Sequence, residues 1–339
     1  MSKIIVKNEN TGNELLWRSI KIRKSLDEIC HTLELEIPLS ERPKVRKHNR
    51  ITVTFDNPII RNPNWSRLIT TVLVDEVTSN ADVTKNSLMV IGRSPARNII
   101  DSTWSDTGDD RQLRTLINYI GKRFGIECDT LPPDKPDPTD PVYDFEWNNE
   151  SPWTKLINEA DNQGYILTSN QAGKLYLWKI DGGVRHEGFH ITEGVNVKNI
   201  KWTENGSEQF YEYVVIGEDY EAREIDTSCP KGRILTIDLS DTHIGEDAVK
   251  RRAKMEVKRR RESKITATVP GWGLTDEQIK RLGASIDKPE LFWFPKSIIP
   301  VSMPTLGLKA NLLISEVELT ANADAISSDI TLVKKEAYL

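Results

Sequence analysis

Apolar and polar residues alternate in short runs at both ends of this 339-residue chain. Segments 32–37 (TLELEI) and 51–55 (ITVTF) place an apolar residue at every second position. Successive side chains of a strand point to opposite faces, so this period predicts strands with one buried face. Turn-rich segments between such runs favour antiparallel barrels or sandwiches. Further strands are predicted at 68–77, 87–92, 210–217, 233–239, 265–269, 291–294, 298–301, 312–319 and 330–333.

The middle of the chain changes to helical patterns. Apolar residues spaced along one helical face predict a helix near 111–125, which Gly125 would end in a left-handed conformation. Ser151 followed by Pro152 predicts the start of a second helix at 152–163. A hairpin is predicted at 165–179, and the proline-rich segment 131–141 is predicted to be a stiff linker.

These patterns divide the chain into three predicted domains. The first is a β-barrel domain at 1–95, and the second is an α+β connecting domain at 96–195. The third is a second β-barrel domain at 196–339, interrupted by a helix–strand insertion near 244–290. The predicted fold class is therefore mainly β with α+β insertions.

The segment 248–264 is helical in pattern and unusually basic, with nine Lys or Arg residues between Lys250 and Lys264. One interpretation is a solvated helix whose long side chains cover apolar surface. A second is a charged face directed at a neighbouring subunit or a channel, in which case charge reversal at Arg259 to Arg261 should disturb assembly. A third is nucleic-acid binding. The whole chain carries 46 basic and 51 acidic residues and a net charge of −5, so no global field attracts DNA or anionic lipid.

One segment matches the H-E-x-x-H pattern of zinc proteases, through His186, Glu187 and His190. That chemistry requires a helix, because helical spacing brings both imidazoles onto one metal ion. Gly188 inside the pattern and glycines just before it favour an extended segment instead. Strand positions four apart are roughly 13 Å distant and cannot share one zinc ion. We therefore predict no zinc site here.

The remaining side chains of metal-ligating type form no set at ligand spacing. Cys30 and His31 are adjacent, so in a strand they would point to opposite faces. The three cysteines are far apart and odd in number, which favours a reducing compartment over a disulfide scaffold. We predict no enzyme activity and no catalytic, cofactor-binding or metal site. The other candidates considered are Glu208, Glu212, His48 and His243.

No signal peptide or apolar run of membrane-spanning length is found, so no membrane anchor is expected. Several segments, taken in order, resemble one family. They are 88–94 (LMVIGRS), 98–102 (NIIDS), 151–160 (SPWTKLINEA), 173–177 (GKLYL), 213–217 (YVVIG), 269–272 (VPGW), 291–295 (LFWFP), 312–317 (LLISEV) and 337–338 (AY). Their order and spacing resemble the Mu-like phage baseplate hub (tail) protein family, related to late-control protein D and type VI spike hub domains. The turn at 322–324 (NAD) departs from the glycine-containing turn usual there.

The resemblance implies a structural, non-enzymatic protein. Two similar antiparallel β-barrels per chain would form a pseudo-sixfold ring in a homotrimer. The ring would adapt the sixfold tail tube to the threefold spike and leave an axial channel. Implied partners are the tail spike protein, the tail tube, other baseplate proteins and the tape-measure protein, with DNA passing without specific binding.

The implied location is the virion tail baseplate of a contractile phage or prophage, after synthesis in the host bacterial cytoplasm. Two alternatives remain open. One is a nucleic-acid-binding protein that uses the basic helix 248–264. The other is a type VI secretion spike hub, which is less favoured because the sequence shows no additional spike domain after the hub.

Overall fold

The computed structural model describes residues 3–60, 65–81, 86–130, 142–179, 188–240, 245–282 and 291–338. It contains α-helices α1 (Arg97–Ile100), α2 (Leu113–Arg123), α3 (Pro152–Asn162), α4 (Glu246–Arg261) and α5 (Asp276–Leu282). The strands are β1 (Lys3–Asn8), β2 (Glu14–Leu15), β3 (Ser19–Ser25), β4 (Thr32–Pro38), β5 (Arg50–Asp56), β6 (Leu68–Ala81), β7 (Asn86–Arg93), β8 (Trp104–Gln112), β9 (Cys128–Thr130), β10 (Val142–Glu150), β11 (Tyr165–Ser169), β12 (Leu175–Lys179), β13 (Ile191–Thr192), β14 (Asn199–Thr203), β15 (Glu212–Ile216), β16 (Glu221–Ile225), β17 (Ile234–Asp238), β18 (Lys264–Pro270), β19 (Ile298–Met303), β20 (Leu308–Ala321) and β21 (Ile326–Val333).

The first half of the main sheet has the strand order β5-β6-β7-β4-β3, and every neighbouring pair is antiparallel. The alternation predicted in β4 is confirmed, since Leu33, Leu35 and Ile37 are fully buried between more exposed polar residues. These side chains belong to the largest hydrophobic cluster that the described residues form. We call these five strands the first β motif.

The second half repeats this arrangement with the order β19-β20-β21-β18-β14, again antiparallel throughout. We call these strands the second β motif. The two motifs also agree in the order of their strands along the chain. Strands β3, β4, β5, β6 and β7 of the first motif therefore correspond to β14, β18, β19, β20 and β21 of the second. The predicted strands at 298–301, 312–319 and 330–333 are confirmed as parts of β19, β20 and β21.

A shared β-bulge strengthens the correspondence between the motifs. In the first motif the register of β6 against β7 shifts between Val74 and Glu76. In the second motif the register of β20 against β21 shifts between Ile314 and Glu316. The surrounding sequences, LVDEV at 73–77 and LISEV at 313–317, are also similar. The chain therefore contains an internal structural repeat.

The two motifs are joined edge to edge. Strand β3 of the first motif pairs antiparallel with residues 316–321 of β20 in the second. The result is one 13-stranded sheet that contains strands from both ends of the chain. The fold is thus mainly antiparallel β, as predicted, while the division into three domains stays a prediction.

The α+β segment between the motifs contains α2, α3 and the predicted hairpin, present as β11 and β12. The helix predicted near 111–125 begins later, at Leu113, because residues 104–112 form β8 and pair with β10. Gly125 has the expected positive φ of 69°. Ser151 precedes α3, but its hydroxyl donates to the carbonyls of Ile99 and Ile100 instead of capping the helix. The linker predicted at 131–141 lies outside the described residues.

The second motif carries a large insertion between β14 and β18. It contains a small sheet with the order β16-β15-β17, followed by α4. The strand predicted at 291–294 is wrong: only Phe292 forms an isolated bridge, to Gly273, while Trp293 and Phe294 are buried by packing. Among the helices described, none is long and apolar enough to cross a membrane.

Candidate functional site

The basic segment forms α4, and its charge distribution stabilises it as a helix. Acidic Glu246 lies in the first turn and basic residues fill the last turn, which matches the helix dipole. Pairs four residues apart add support, as between Glu246 and Lys250 at 2.6 Å. Val249 and Ala253 are buried against the insertion sheet, where they contact the cluster that includes Val215. These two residues form the narrow apolar face that anchors the helix.

A second buried face of α4 is ionic. The Arg252 guanidinium lies 3.2 Å from an Asp161 oxygen on α3 and 3.0 Å from a Glu256 oxygen on its own helix. Glu256 also accepts from Arg260 at 3.0 Å. All three of Arg252, Glu256 and Asp161 are buried. A buried charge is tolerated where an opposite charge and hydrogen bonds compensate it, and this network supplies both.

Arg259 extends the network to both ends of the chain. Its guanidinium lies 2.7 Å from Asp27, which follows β3, and 3.7 Å from Asp161. It also lies over the ring of Tyr338, 4.9 Å from the centroid, and the Tyr338 hydroxyl donates to Asp27 at 2.9 Å. Four segments distant in sequence therefore meet at the last turns of α4. We call Asp27, Asp161, Arg252, Glu256, Arg259 and Tyr338 the α4 cluster.

Burial controls the protonation behaviour of this cluster. It raises the pKa of Asp161, although the positive charges of Arg252 and Arg259 oppose the change. It also raises the pKa of Tyr338, and the negative charge of Asp27 acts in the same direction. The tyrosine is therefore a neutral hydrogen-bond donor.

A cleft of about 600 Å³ opens beside the α4 cluster and is lined by acidic and basic side chains together. Three of the arginines at its wall, Arg252, Arg259 and Arg260, already contact carboxylates of this chain. Phosphate binding would have to displace those contacts. The arrangement is suited to holding segments of the chain together.

The sequence-based interpretations of the basic helix need correction. It is not simply a solvated face, since Arg252 is buried and Arg251 donates to the carbonyl of Asn162. Its charges are not all directed at a neighbour or channel either, because Arg259 and Arg260 bind carboxylates of the same chain. Charge reversal across 259–261 would therefore disturb the chain itself and would not isolate an assembly effect. Sequence reasoning missed Asp27, Asp161 and Tyr338 because each is isolated in sequence from α4.

The candidate metal ligands are not brought together. His186, Glu187 and His243 lie outside the described residues. His190 belongs to an irregular segment in which its carbonyl accepts from the Asn196 side chain. Glu212 pairs with Arg223, and Glu208 is exposed beside β15. Within the described ranges no group of three His, Cys, Asp or Glu residues could hold a metal ion.

Two other candidates are buried structural residues. Burial raises the pKa of the Cys30 thiol to about 11, which disfavours the thiolate that a metal needs. Burial, and then the positive charge of Lys24, lower the pKa of His31 well below its usual value. His48 has a positive φ of 66° and lies 3.2 Å from an Arg97 nitrogen. Their surroundings explain them as parts of the fold.

Solved structures share this fold over nearly the whole chain. A 43 kDa tail protein of prophage MuSo2 from Shewanella oneidensis is 18% identical with a TM-score of 0.78, and the alignment covers 99% of both chains. A tail protein from Neisseria meningitidis is 15% identical with a TM-score of 0.76, covering 99% of this chain and 98% of that one. An Escherichia coli component of the type VI secretion system is 8% identical with a TM-score of 0.61, covering 97% and 76%.

No protein-family model matches the chain, and the comparison with curated proteins gave no significant match. The resemblance seen in the sequence is nevertheless confirmed at the level of fold, because the structural similarity includes both β motifs and the segments between them. The chain has the fold of prophage tail proteins and of a type VI secretion component.

Proposed function

We propose that this protein is the structural, non-enzymatic baseplate hub of a contractile phage or prophage tail. The observation that carries the proposal is the similarity, over 99% of this chain, to two solved tail proteins. The internal repeat supports it, because two similar β motifs per chain are what a pseudo-sixfold ring of three chains needs. Cyclic assemblies of identical chains are common, and a repeat doubles their apparent symmetry.

In the proposed mechanism the protein works through its surfaces. Three copies present six β motifs to the sixfold tail tube and three equivalent faces to the spike protein. The axial channel lets the tape-measure protein and DNA pass without sequence-specific contacts. The site of action is the tail baseplate of the virion, reached after synthesis in the host bacterial cytoplasm. A hub for a type VI secretion spike is the nearest variant, and the similarity to the Escherichia coli component supports it.

The proposal is tested by the oligomeric state and the partners. Size-exclusion chromatography with light scattering at micromolar concentration should give about three times the 38.6 kDa chain mass, and with the spike protein bound a larger mass that contains three copies of this chain. Co-expression with a tail tube protein and a spike protein should give a stable complex. A chain that stays monomeric with both partners present would contradict the proposal.

The nucleic-acid alternative makes a different prediction. A protein that binds DNA through α4 should shift duplex DNA at low salt, with an affinity that falls steeply as salt increases. The hub should show no such shift, because Arg252, Arg259 and Arg260 are engaged within the chain. A salt-dependent complex lost on Lys254→Glu, an exposed position of α4, would favour the alternative.

A further inference from the structure

Apart from the outer sides of β2 and β13, two strand edges of the main sheet have no partner among the described residues. Strand β14 pairs with β18 on one side only. In β6, residues 68–73 pair with β5, but residues 76–81 have no partner on that same side. Exposed strand edges readily pair with another chain, so natural proteins rarely leave them open without a reason.

The internal repeat shows what each open edge corresponds to. Where the two motifs join, β3 of the first motif pairs with residues 316–321 of β20, and we call this pairing the internal joint. The counterpart of β3 in the second motif is β14, since each is the end strand next to β4 or β18. The counterpart of residues 316–321 is the segment 76–81 of β6, which follows the same bulge. The two open edges therefore correspond to the two strands that pair at the internal joint.

Strand register makes this correspondence residue by residue. Counted from the shared bulge, Leu35 and Ala267 occupy the same position in the two motifs. Ile20 lies opposite Leu35 and Ile200 lies opposite Ala267, so Ile20 corresponds to Ile200. Continuing along the strands, Ile22 corresponds to Trp202. The same reasoning across the bulges equates Leu319 with Ser79 and Glu318 with Thr78.

Apolar side chains are less buried on the open edges than at the internal joint, as expected if each open edge lacks a neighbouring strand. At the internal joint Ile20 and Ile22 are buried, with exposed fractions of 1% and 0%. Their counterparts are Ile200, which is half-buried, and Trp202, which is 43% exposed. Val77 on the β6 edge is also only half-buried, whereas its counterpart Val317 is fully buried. A strand added to each edge would cover these apolar side chains.

We propose that β14 of one copy pairs antiparallel with residues 76–81 of β6 in the next copy. Trp202 then lies opposite Ser79 of the neighbouring copy, and Thr203 lies opposite Thr78. The contact is heterologous, because each copy offers a different edge on each side, and such contacts form rings when the rotation closes. The inference rests on the proposed homotrimer: three joints between copies and three internal joints connect six β motifs in one ring.

Charges distinguish the two kinds of joint. The internal joint carries two ion pairs, Arg23 with Glu316 at 2.8 Å and Lys21 with Glu318 at 3.0 Å. Of these four charges the open edges retain only the counterparts of Lys21 and Glu316, which are Lys201 and Glu76. They lie too far apart along the proposed register to pair. The joint between copies should therefore rest on backbone hydrogen bonds and apolar contact, with little dependence on salt.

A disulfide between copies tests the register directly. At the internal joint the Leu26 N–H donates to the Ser315 carbonyl, so by alternation Arg23 and Glu318 form a non-hydrogen-bonded pair. Their counterparts Thr203 and Thr78 should have Cα atoms about 4.5 Å apart across the joint, within disulfide range. Thr78→Cys with Thr203→Cys should give a covalent trimer under mild oxidation. The offset pair, Thr78→Cys with Trp202→Cys, places the thiols on opposite faces and should not.

A proline variant tests the same joint without new thiols. By the same alternation the Ser79 N–H points to the open edge, where proline is compatible with the strand. Ser79→Pro should leave the thermal transition of the monomer nearly unchanged while reducing the trimer fraction at least tenfold. Ser79→Ala keeps the N–H and should assemble as the unmodified chain does.

The outcomes separate this inference from the proposed function. A trimer that forms, but cross-links equally through the offset pair or not at all through Thr78 and Thr203, overturns the proposed joint and leaves the hub intact. A trimer that survives Ser79→Pro also overturns it. A chain that remains monomeric even with its partners fails as a hub. Cross-linked species larger than a trimer would mean an open array and would contradict the closed ring.

Discussion

The two β motifs have the same strand order and the same bulge, yet they connect their strands differently. In the first motif β3 passes to β4 through the short segment 26–31. In the second, β14 passes to β18 through residues 204–263, which hold the small sheet and α4. The sheet hydrogen bonds therefore define the repeat, while the connections between strands differ between the two motifs. The α4 cluster returns the longer connection to the body of the chain through Asp27 and Asp161.

The bulge itself differs in chemistry between the motifs. In the first motif Asp75 accepts from Arg93 and Arg97, and Arg93 also binds Asp101. In the second motif the positions of Asp75 and Arg93 are occupied by Ser315 and Val333, both buried. The same backbone irregularity is thus stabilised by partly buried ion pairs in one motif and by packing in the other. Bulges bend a strand whatever the side chains are, so either solution can support them.

The largest effect is expected in the long connection. Arg252→Met should lower the free energy of unfolding by about 3 kcal/mol, the lower end of the range for breaking a buried ion pair, because Asp161 and Glu256 lose their buried cation and keep only the more exposed Arg259 and Arg260. The deficit should shrink as the pH falls, since burial raises the pKa of Asp161 and its protonation removes one negative charge that Arg252 compensates. Urea denaturation at neutral and mildly acidic pH measures both effects.

The matched control for that prediction is Lys254→Met, at an exposed position of the same helix. Its effect should stay within about 0.5 kcal/mol. Equal effects of the two substitutions would show that the α4 cluster does not hold the insertion to the body of the chain. In that case the α4 cluster would give the long connection no stabilising contact that the short connection lacks.

A smaller effect is expected at the bulge of the first motif. Gly92 corresponds to the fully buried Leu332 of the second motif. A Cβ at Gly92 would lie 2.9 Å from the Leu73 carbonyl oxygen and 3.0 Å from Val72 Cγ2. Gly92→Ala should therefore cost about 1–3 kcal/mol through overpacking, measured by thermal or urea denaturation. Gly206→Ala is the control, because its Cβ would meet only the Gln209 side chain at 3.6 Å. An unchanged stability of Gly92→Ala would mean that both motifs have room at this position.

Local patterns were enough to predict much of this fold. The alternation in β4 and the start of α3 at Pro152 depend on neighbouring residues, and both are confirmed. Strand β8 was missed because its sequence is polar and turn-like, and its pairing with β10 depends on a distant segment. The run 291–294 was mistaken for a strand because its aromatic residues are buried by packing and not by sheet pairing.

The candidate site was harder to predict than the fold. The sequence located the basic helix but not its function, since Asp27, Asp161 and Tyr338 come from three distant segments. The internal repeat was also hidden: apart from 73–77 and 313–317, equivalent strands share an alternation that any half-buried strand shows. The motifs can be compared residue by residue only through hydrogen-bond register, because the strand pairings show equivalent positions even where the sequences are not similar.

The smallest effect is a pH dependence expected in the first motif alone. Hydrogen bonds from Arg93 hold the pKa of Asp101 below its usual value, and the pair has no counterpart in the second motif, where Val333 replaces the arginine. A carboxyl with a lowered pKa in the folded state stabilises the fold above its ordinary pKa, and the stabilisation is lost as the pH falls through the lowered value. Because the Asp101 side chain is 49% exposed, Asp101→Asn should cost only about 0.2–1 kcal/mol at neutral pH. As the pH falls through the lowered pKa of Asp101, the difference from the unmodified chain should disappear. Asp324→Asn, at an exposed turn of the second motif, is the control, with both variants followed by urea denaturation. A pH-independent deficit for Asp101→Asn would instead assign the effect to packing and remove this electrostatic difference between the motifs.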